Sequence, residues 1–323
     1  MTRGGIADGN RYGKRSEFTL RVRGGGAARR GAAENPGDAG SVERAVRPVI
    51  ETLRFTAPFK ALEPFYGDDG GMKIMLISVS AGIMAGDSQR VEVSADTGAR
   101  LEIVSQSFEK IHRMDDGGAA SREIVLSVGA GALLIYSPLP TIPFAGSDFT
   151  SATRVHLQDS SARLVYGDVL ACGRAFSGER FRYRAYRNGV YVTCGGSGAA
   201  AGLLYADNAC FIPSEADMEG LTLFEGYSHL SNLLLFNVAA TSEQCDEIRA
   251  ALSEFPGIGG MTRLTQAPVP AAVQAPDIDI SPAAAVQAPI SAAPPVSLCV
   301  RTLANGSEPA LALHERIRAI LDP

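Results

Sequence analysis

The chain has 323 residues, 46% hydrophobic and 20% charged, which is enough apolar material for a globular core. Thirty Lys and Arg against 35 Asp and Glu leave a net charge of −5, which excludes a strongly basic nucleic-acid binder. No run of 18 apolar residues occurs, so no membrane-spanning helix is expected, and the basic N-terminus has no apolar stretch behind it that would read as a secretory signal.

Residues 1–47 hold ten Lys or Arg and five Asp or Glu, whereas the remainder holds 20 against 30. Ten of the first forty residues are Gly. Such a composition buries too little apolar surface to offset the entropy of ordering, and predicts a disordered Gly/Arg-rich extension over 1–47. From residue 48 the pattern is β. An apolar run at 73–79 follows a Gly-Asp-Asp-Gly-Gly turn, and 90–94, 100–105 and 122–128 alternate apolar and polar residues. Further strands are expected at 132–136, 153–157 and 162–166, divided by Gly-rich or Asp-Ser-Ser turns. Segments 181–186 and 190–193 flank Arg187-Asn188-Gly189, whose Asn-Gly pair predicts a hairpin turn. The Gly-rich run 195–198 lacks a dinucleotide-binding pattern and reads as a loop.

Two helices are expected. Thr241, with Gln244 three residues on, predicts a capping box ahead of 242–255, where Cys245, Ile248, Leu252 and Phe255 share one face and Pro256-Gly257 ends the run. The second covers 309–321, with Pro309 in its first turn and Ala310, Leu313, Ile317, Ile320 and Leu321 as its apolar stripe. Between them, 267–296 holds seven Pro and ten Ala and repeats Ala-Ala-Val-Gln-Ala-Pro. It predicts a disordered insertion that interrupts a strand pair, 260–265 with 297–303. The expected organisation is therefore one β domain over 48–266 and 297–323.

The chemistry is sparse. No P-loop, HExxH or GxSxG motif occurs. Five cysteines without a CxxC pair suggest reduced thiols in a cytoplasmic protein, and the four histidines are scattered. Three carboxylates stand out: Asp87 after a glycine-flanked strand end, Asp168 at the end of a strand, and Glu179 after Gly-Arg-Ala-Phe-Ser-Gly. Acids at such positions commonly form turns, yet oxygen donors also suit transient Ni(II) binding.

Four blocks resemble the urease accessory proteins UreD and UreH: SAGIMAGD at 80–87, QSFEKIHRM at 106–114, LPTIPFAGSDF at 139–149 and YGDVLACGRAFSGERF at 166–181. The resemblance runs from about residue 53 to 237 and resumes loosely at the C-terminus. It implies a β-superhelical fold of many short strands with two helices near the C-terminus. It implies a scaffold, not an enzyme. The implied partners are a helical accessory protein, UreF, a GTPase, UreG, and urease apoprotein, with neither nucleic acid nor membrane among them. Ni(II) would be in transit through a tunnel, with no permanently bound cofactor and no fixed metal site. The GTPase would supply the energy that a chain without a P-loop cannot.

Carried over by position, Asp87, Asp168 and Glu179 would line that tunnel. Lys110 and Arg113 would pair with these acids. Arg174 would bond Glu179 or another acid, the alternative being a turn-stabilising ion pair without metal contact. His112 stands where the family commonly has an aromatic residue. Segment 226–237 is either a partner surface or a buried strand. The alternative function is a hydrolase using two of the carboxylates about 5–9 Å apart, although the absence of Trp removes the usual sugar platform.

Overall fold

The structure is a computed structural model that describes residues 14–25, 47–115, 117–196, 201–264 and 296–322. In chain order the strands are β1 (Arg15–Arg23), β2 (Val49–Phe55), β3 (Phe59–Ala61), β4 (Phe65–Tyr66), β5 (Met72–Ser78), β6 (Ser88–Ala95), β7 (Arg100–Ser105), β8 (Glu109–Ile111), β9 (Ala120–Val128), β10 (Leu133–Tyr136), β11 (Thr141–Pro143), β12 (Asp148–Leu157), β13 (Arg163–Ala171), β14 (Ala185–Cys194), β15 (Gly202–Phe211) and β16 (His229–Val238). Helix α1 (Ser242–Ser253), β17 (Gly257–Leu264), β18 (Val296–Ala304) and α2 (Ser307–Leu321) complete the chain.

The chain alternates between two sheets. The first is ordered β15-β14-β12-β9-β6-β1-β2 and the second β17-β18-β16-β13-β10-β7-β5-β3. Successive visits to one sheet pair in parallel: β6 with β9, β9 with β12 and β12 with β14 on one side, and β5 with β7, β7 with β10 and β10 with β13 on the other. The result is a β-solenoid of about four turns, the superhelix expected from the sequence. Antiparallel strands close both ends: β2 on β1, β3 and β4 on β5, β15 on β14, and β16, β18 and β17 beyond β13.

Burial explains which strands alternate. Strand β1 is buried at every second residue, Ser16, Phe18, Leu20 and Val22, because the first sheet has one face in the core and one in solvent. Strands β10, β13 and β16 are buried on both faces, because α1 and α2 cover the outer side of the second sheet with Ile248, Ala251, Leu313 and Ile317. The tight turns stack too. A Cβ on Gly129 would lie 2.5 Å from the backbone N of Thr97 in the preceding turn, so only glycine fits there. A third, narrow ladder forms one flank: Ile83 bridges Ile111, β8 pairs with β11, and Thr141 of β11 pairs with Leu170.

Two expectations are corrected. The disordered extension over 1–47 cannot hold for 15–23, since β1 lies between β2 and β6 with Phe18, Leu20 and Val22 fully buried. Averaged composition hid a short alternating strand among glycines and arginines. Residues 26–46 lie outside the described residues, as does the 267–296 segment up to its last residue. The Asn-Gly hairpin is also absent: Asn188 and Gly189 lie in the middle of β14, paired with Ser151 and Ala152 of β12. Ten consecutive parallel pairs override the local turn preference, and the Tyr191 ring lies over the glycine, 3.0 Å from where its Cβ would be. The expected pair of 260–265 with 297–303 does form, as β17 with β18. Of segment 226–237, residues 229–237 lie in β16, with Leu233 to Phe236 at most 1% exposed.

Candidate functional site

Polar side chains interrupt the core between the two sheets, each at an inward position of its strand. Gln89 shares its face of β6 with Val91 and Val93, and Arg122 its face of β9 with Ile124 and Leu126. Asp168 lies on the face of Leu164 and Tyr166, Asn188 on that of Val190 and Val192, and Asn232 on that of Leu234 and Phe236. Together they form a line across the interior.

One end of the line is an ion pair. Arg122 Nη2 bonds Glu109 Oε2, and Nε and Nη2 donate to Gln89 Oε1 at 2.9 and 2.6 Å. These side chains are only 13% (Arg122) and 18% (Glu109) exposed and border a hollow of about 60 Å³. The middle is phenolic. Tyr136 and Tyr166 stack with ring centroids 6.1 Å apart, Tyr166 Oη lies 3.4 Å from Thr153 Oγ1, and burial pushes the Tyr136 phenol up to about 12.

Asp168 lies beyond the phenols and ties the two sheets together. Asn232 Nδ2 donates to its Oδ1 at 2.8 Å and Asn188 Nδ2 to its Oδ2 at 3.1 Å. Burial raises the pKa of this carboxyl, the two amides oppose the rise, and the charge of Asp207 adds to it. Asn232 Oδ1 is buried without a donor. Arg301, which bonds Asp207 and donates to Tyr205 Oη at 3.2 Å, ends the line at a cleft of about 520 Å³. Asp207, Asn232 and Arg301 are among its polar lining residues, with Phe211, Leu230 and Ile258 among its apolar walls.

The other expected site residues lie on the flank formed by the third ladder. Asp87 accepts from Lys14 N at 3.2 Å and Met84 N at 2.8 Å, holding a turn ahead of β6. Glu179 takes both ends of the Arg174 guanidinium and accepts from Ala145 N at 3.2 Å. The Arg174 hydrogen bonds hold this carboxyl below the usual range. The Arg174–Glu179 pair expected from the sequence is therefore formed, within a turn. Arg113 bonds Asp115 at 2.7 Å rather than any of the three acids, and Lys110 is exposed on β8. The three carboxylates share no hydrogen-bonding partner; Asp168 alone belongs to the interior line. Among the described residues no group of three His, Cys, Asp or Glu side chains gathers to hold a metal.

Sequence reading missed Glu109, Arg122, Asn188, Asp207, Asn232 and Arg301. A signal for most of them was present: a charged or amide residue at the apolar phase of an alternating strand must point inward.

Comparison with known proteins gives one family. The profile of the family described as UreD urease accessory protein matches residues 38–323. The urease accessory protein UreD of Acetivibrio thermocellus is 40% identical over 205 residues, covering 63% of this chain and 76% of that protein. The urease accessory protein UreH of Helicobacter pylori strain P12 is 34% identical over 271 residues, 84% of this chain and 88% of its own length. The UreD of Actinobacillus pleuropneumoniae serotype 5b is 28% identical over 201 residues, 61% of this chain and 71% of that one.

Proposed function

The chain belongs to the UreD family of urease accessory proteins, and on that premise we propose that it is a non-catalytic scaffold through which nickel reaches urease apoprotein. It acts in complex with a UreF-type helical accessory protein and a UreG-type GTPase, in the cytoplasm. The observation that supports this reading is the polar line between the sheets, running from Glu109 and Arg122 past Asp168 to the cleft at Asp207 and Arg301.

The chemistry of the line suits a cation in transit. Its donors are carboxylate and amide oxygens, which hold a divalent transition metal more loosely than thiolate or imidazole. Asp168 is the central waypoint. It is a carboxylate hydrogen-bonded to two neutral amides and to no Lys or Arg, so an arriving metal ion would supply the direct counter-charge that Arg301 supplies only through space. Glu109 and Asp207 each carry a resident arginine that neutralises them while the line is empty. Asp87, Glu179 and Arg174 brace the flank, and Lys110 and Arg113 lie on its surface. GTP hydrolysis by the partner drives the process, since this sequence has no P-loop.

The test is maturation of urease apoprotein in cells. This chain is co-expressed with the urease subunits and the other accessory proteins, and nickel content and ureolysis are measured together. Deletion of the chain is expected to leave nickel-free urease. Asp168→Ala is expected to cut nickel loading while the complex still assembles, and Asp87→Ala to act only through stability. Full maturation without the chain would refute the reading, and full maturation with Asp168→Ala would refute the route.

A further inference from the structure

Strand register lays a floor under the interior line. Gln89 of β6, Arg122 of β9, Ser151 of β12 and Asn188 of β14 are successive register partners across the first sheet. Neighbouring strands lie about 4.8 Å apart, so one inward polar position repeats over four strands. Ser151 is 8% exposed and shares its face of β12 with Val155 and Leu157. Its hydroxyl makes no hydrogen bond among the described residues. On one side it neighbours the arginine bonded to Glu109, and on the other the amide that donates to Asp168.

Three phenols reach the same stretch. Tyr136 and Tyr166 are 3% exposed and Tyr186 is 7% exposed, two residues before Asn188 on the same face of β14. The charges that act on them are those of Glu109 and Arg122 on one side and of Asp168 on the other. Burial raises the pKa of each phenol, so all three stay protonated at neutral pH. Tyr186 is also hydrogen-bonded to Thr141. Between Arg122 and Asp168 the line therefore offers oxygen without charge.

The spaces at the two ends differ in size. The hollow bordered by Glu109, Arg122 and Tyr136 is about 60 Å³, and the cleft beyond Asp168 is about 520 Å³. At about 15 Å³ per water the hollow takes at most about four waters, fewer than the six around an octahedral aqua ion, whereas the cleft takes the whole shell. A divalent cation passing between them must exchange water for protein oxygen on the way. Neutral hydroxyls suit that exchange, because they solvate the ion without the charge that would trap it. We propose that Ser151 and the phenols of Tyr136, Tyr166 and Tyr186 are the dehydration passage of the route, where hydroxyl oxygens replace part of the cation's water shell. The proposal rests on the nickel-route reading of the line.

The test follows Ni(II) uptake by urease apoprotein over time, in the purified complex of the full chain with its UreF-type and UreG-type partners and GTP. Ser151→Ala and Tyr166→Phe each remove one oxygen. Each is expected to slow uptake about five-fold, the value of one neutral polar contact, and to reach the wild-type nickel content in the end. A slowed step changes the rate, whereas a damaged complex changes the end point. Ser151→Leu fills the passage and is expected to stop uptake. The melting curve of Ser151→Ala should match the wild type, because the lost hydroxyl has no hydrogen bond to give up. Wild-type uptake in Ser151→Leu, or in both Ser151→Ala and Tyr166→Phe, beside a slow Asp168→Ala would overturn the passage and leave the route standing. A wild-type rate in Asp168→Ala would overturn the route, and the passage with it. A lowered end point at an unchanged rate would also overturn the passage, since these residues would then act only in assembly.

Discussion

Replacing Arg122 by Met tests whether the interior line is held by its charges. The substitution keeps the aliphatic bulk beside Phe149, whose ring centroid is 6.0 Å from the guanidinium, and removes the cation. Glu109, with a side chain only 18% exposed, is left without its counter-ion. Gln89 Oε1 loses both donors. A buried charge stripped of its partner costs about 3 kcal/mol at the low end, which suits a pair with some solvent contact. The orphaned amide oxygen adds about 1 kcal/mol, for a total of about 4 kcal/mol. At about 2 °C per kcal/mol for a chain of this size, the midpoint of thermal unfolding falls by roughly 8 °C. Urea unfolding of four proteins, namely wild type, Arg122→Met, Glu109→Leu and the double variant, closes the cycle. The double variant is expected to regain most of the loss, since an apolar pair of similar volume is about neutral. If Arg122→Met costs under 1 kcal/mol and the two changes simply add, the pair is solvated and the reasoning fails. The recovered double variant is also informative for function. A stable chain with a broken line should still assemble its complex and fail to load nickel.

Three further outcomes follow from local geometry. His314, 3% exposed, has its pKa pushed down by burial to about 4, so the folded state prefers the neutral ring. Its contribution is full above the unfolded value of 6.5 and is lost as pH falls toward about 4; the unfolding free energy from urea titrations should drop by about 3 kcal/mol over that window in the wild type and by less in His314→Gln. Gly173→Ala forces a Cβ against the Glu179 carbonyl at a φ of +125°, and should cost at least about 1 kcal/mol, read by denaturation, together with faster amide exchange at Gly178 and Glu179. Thr241→Ala removes the acceptor of Gln244 N at 3.2 Å and should cost about 1 kcal/mol, with a matching loss of protection in the first turn of α1.

Local rules of one or two turns were legible before the fold was known. The Thr241–Gln244 capping box formed as expected, with both reciprocal bonds, because its geometry depends on four adjacent residues. The alternating runs at 90–94, 100–105 and 122–128 became β6, β7 and β9 for the same reason. Where long-range pairing competed with local preference, the local reading lost. Asn188-Gly189 has strong turn chemistry, yet the neighbouring turn of the superhelix held it in a strand. Composition also misled over 1–47, because nine residues with Phe18, Leu20 and Val22 in phase were averaged into a long Gly/Arg-rich segment. For the site, motif position pointed to Asp168 but not to its surroundings. Asn188 and Asn232 bond it from β14 and β16, and the charges of Asp207 and Arg301 act on it from β15 and β18, which only the fold brings together.

The pairing of β17 with β18 also bears on how the chain can be handled. Leu264 and Ser297 are register partners, so the two ends of the intervening stretch are about 5 Å apart. Two residues of that spacing can be joined by a short reverse turn, and the two strands pair with one another over eight register positions. This hairpin therefore offers an internal graft point, where an affinity tag or a fluorescent label could replace sequence without shifting the register that holds Arg301 at the cleft.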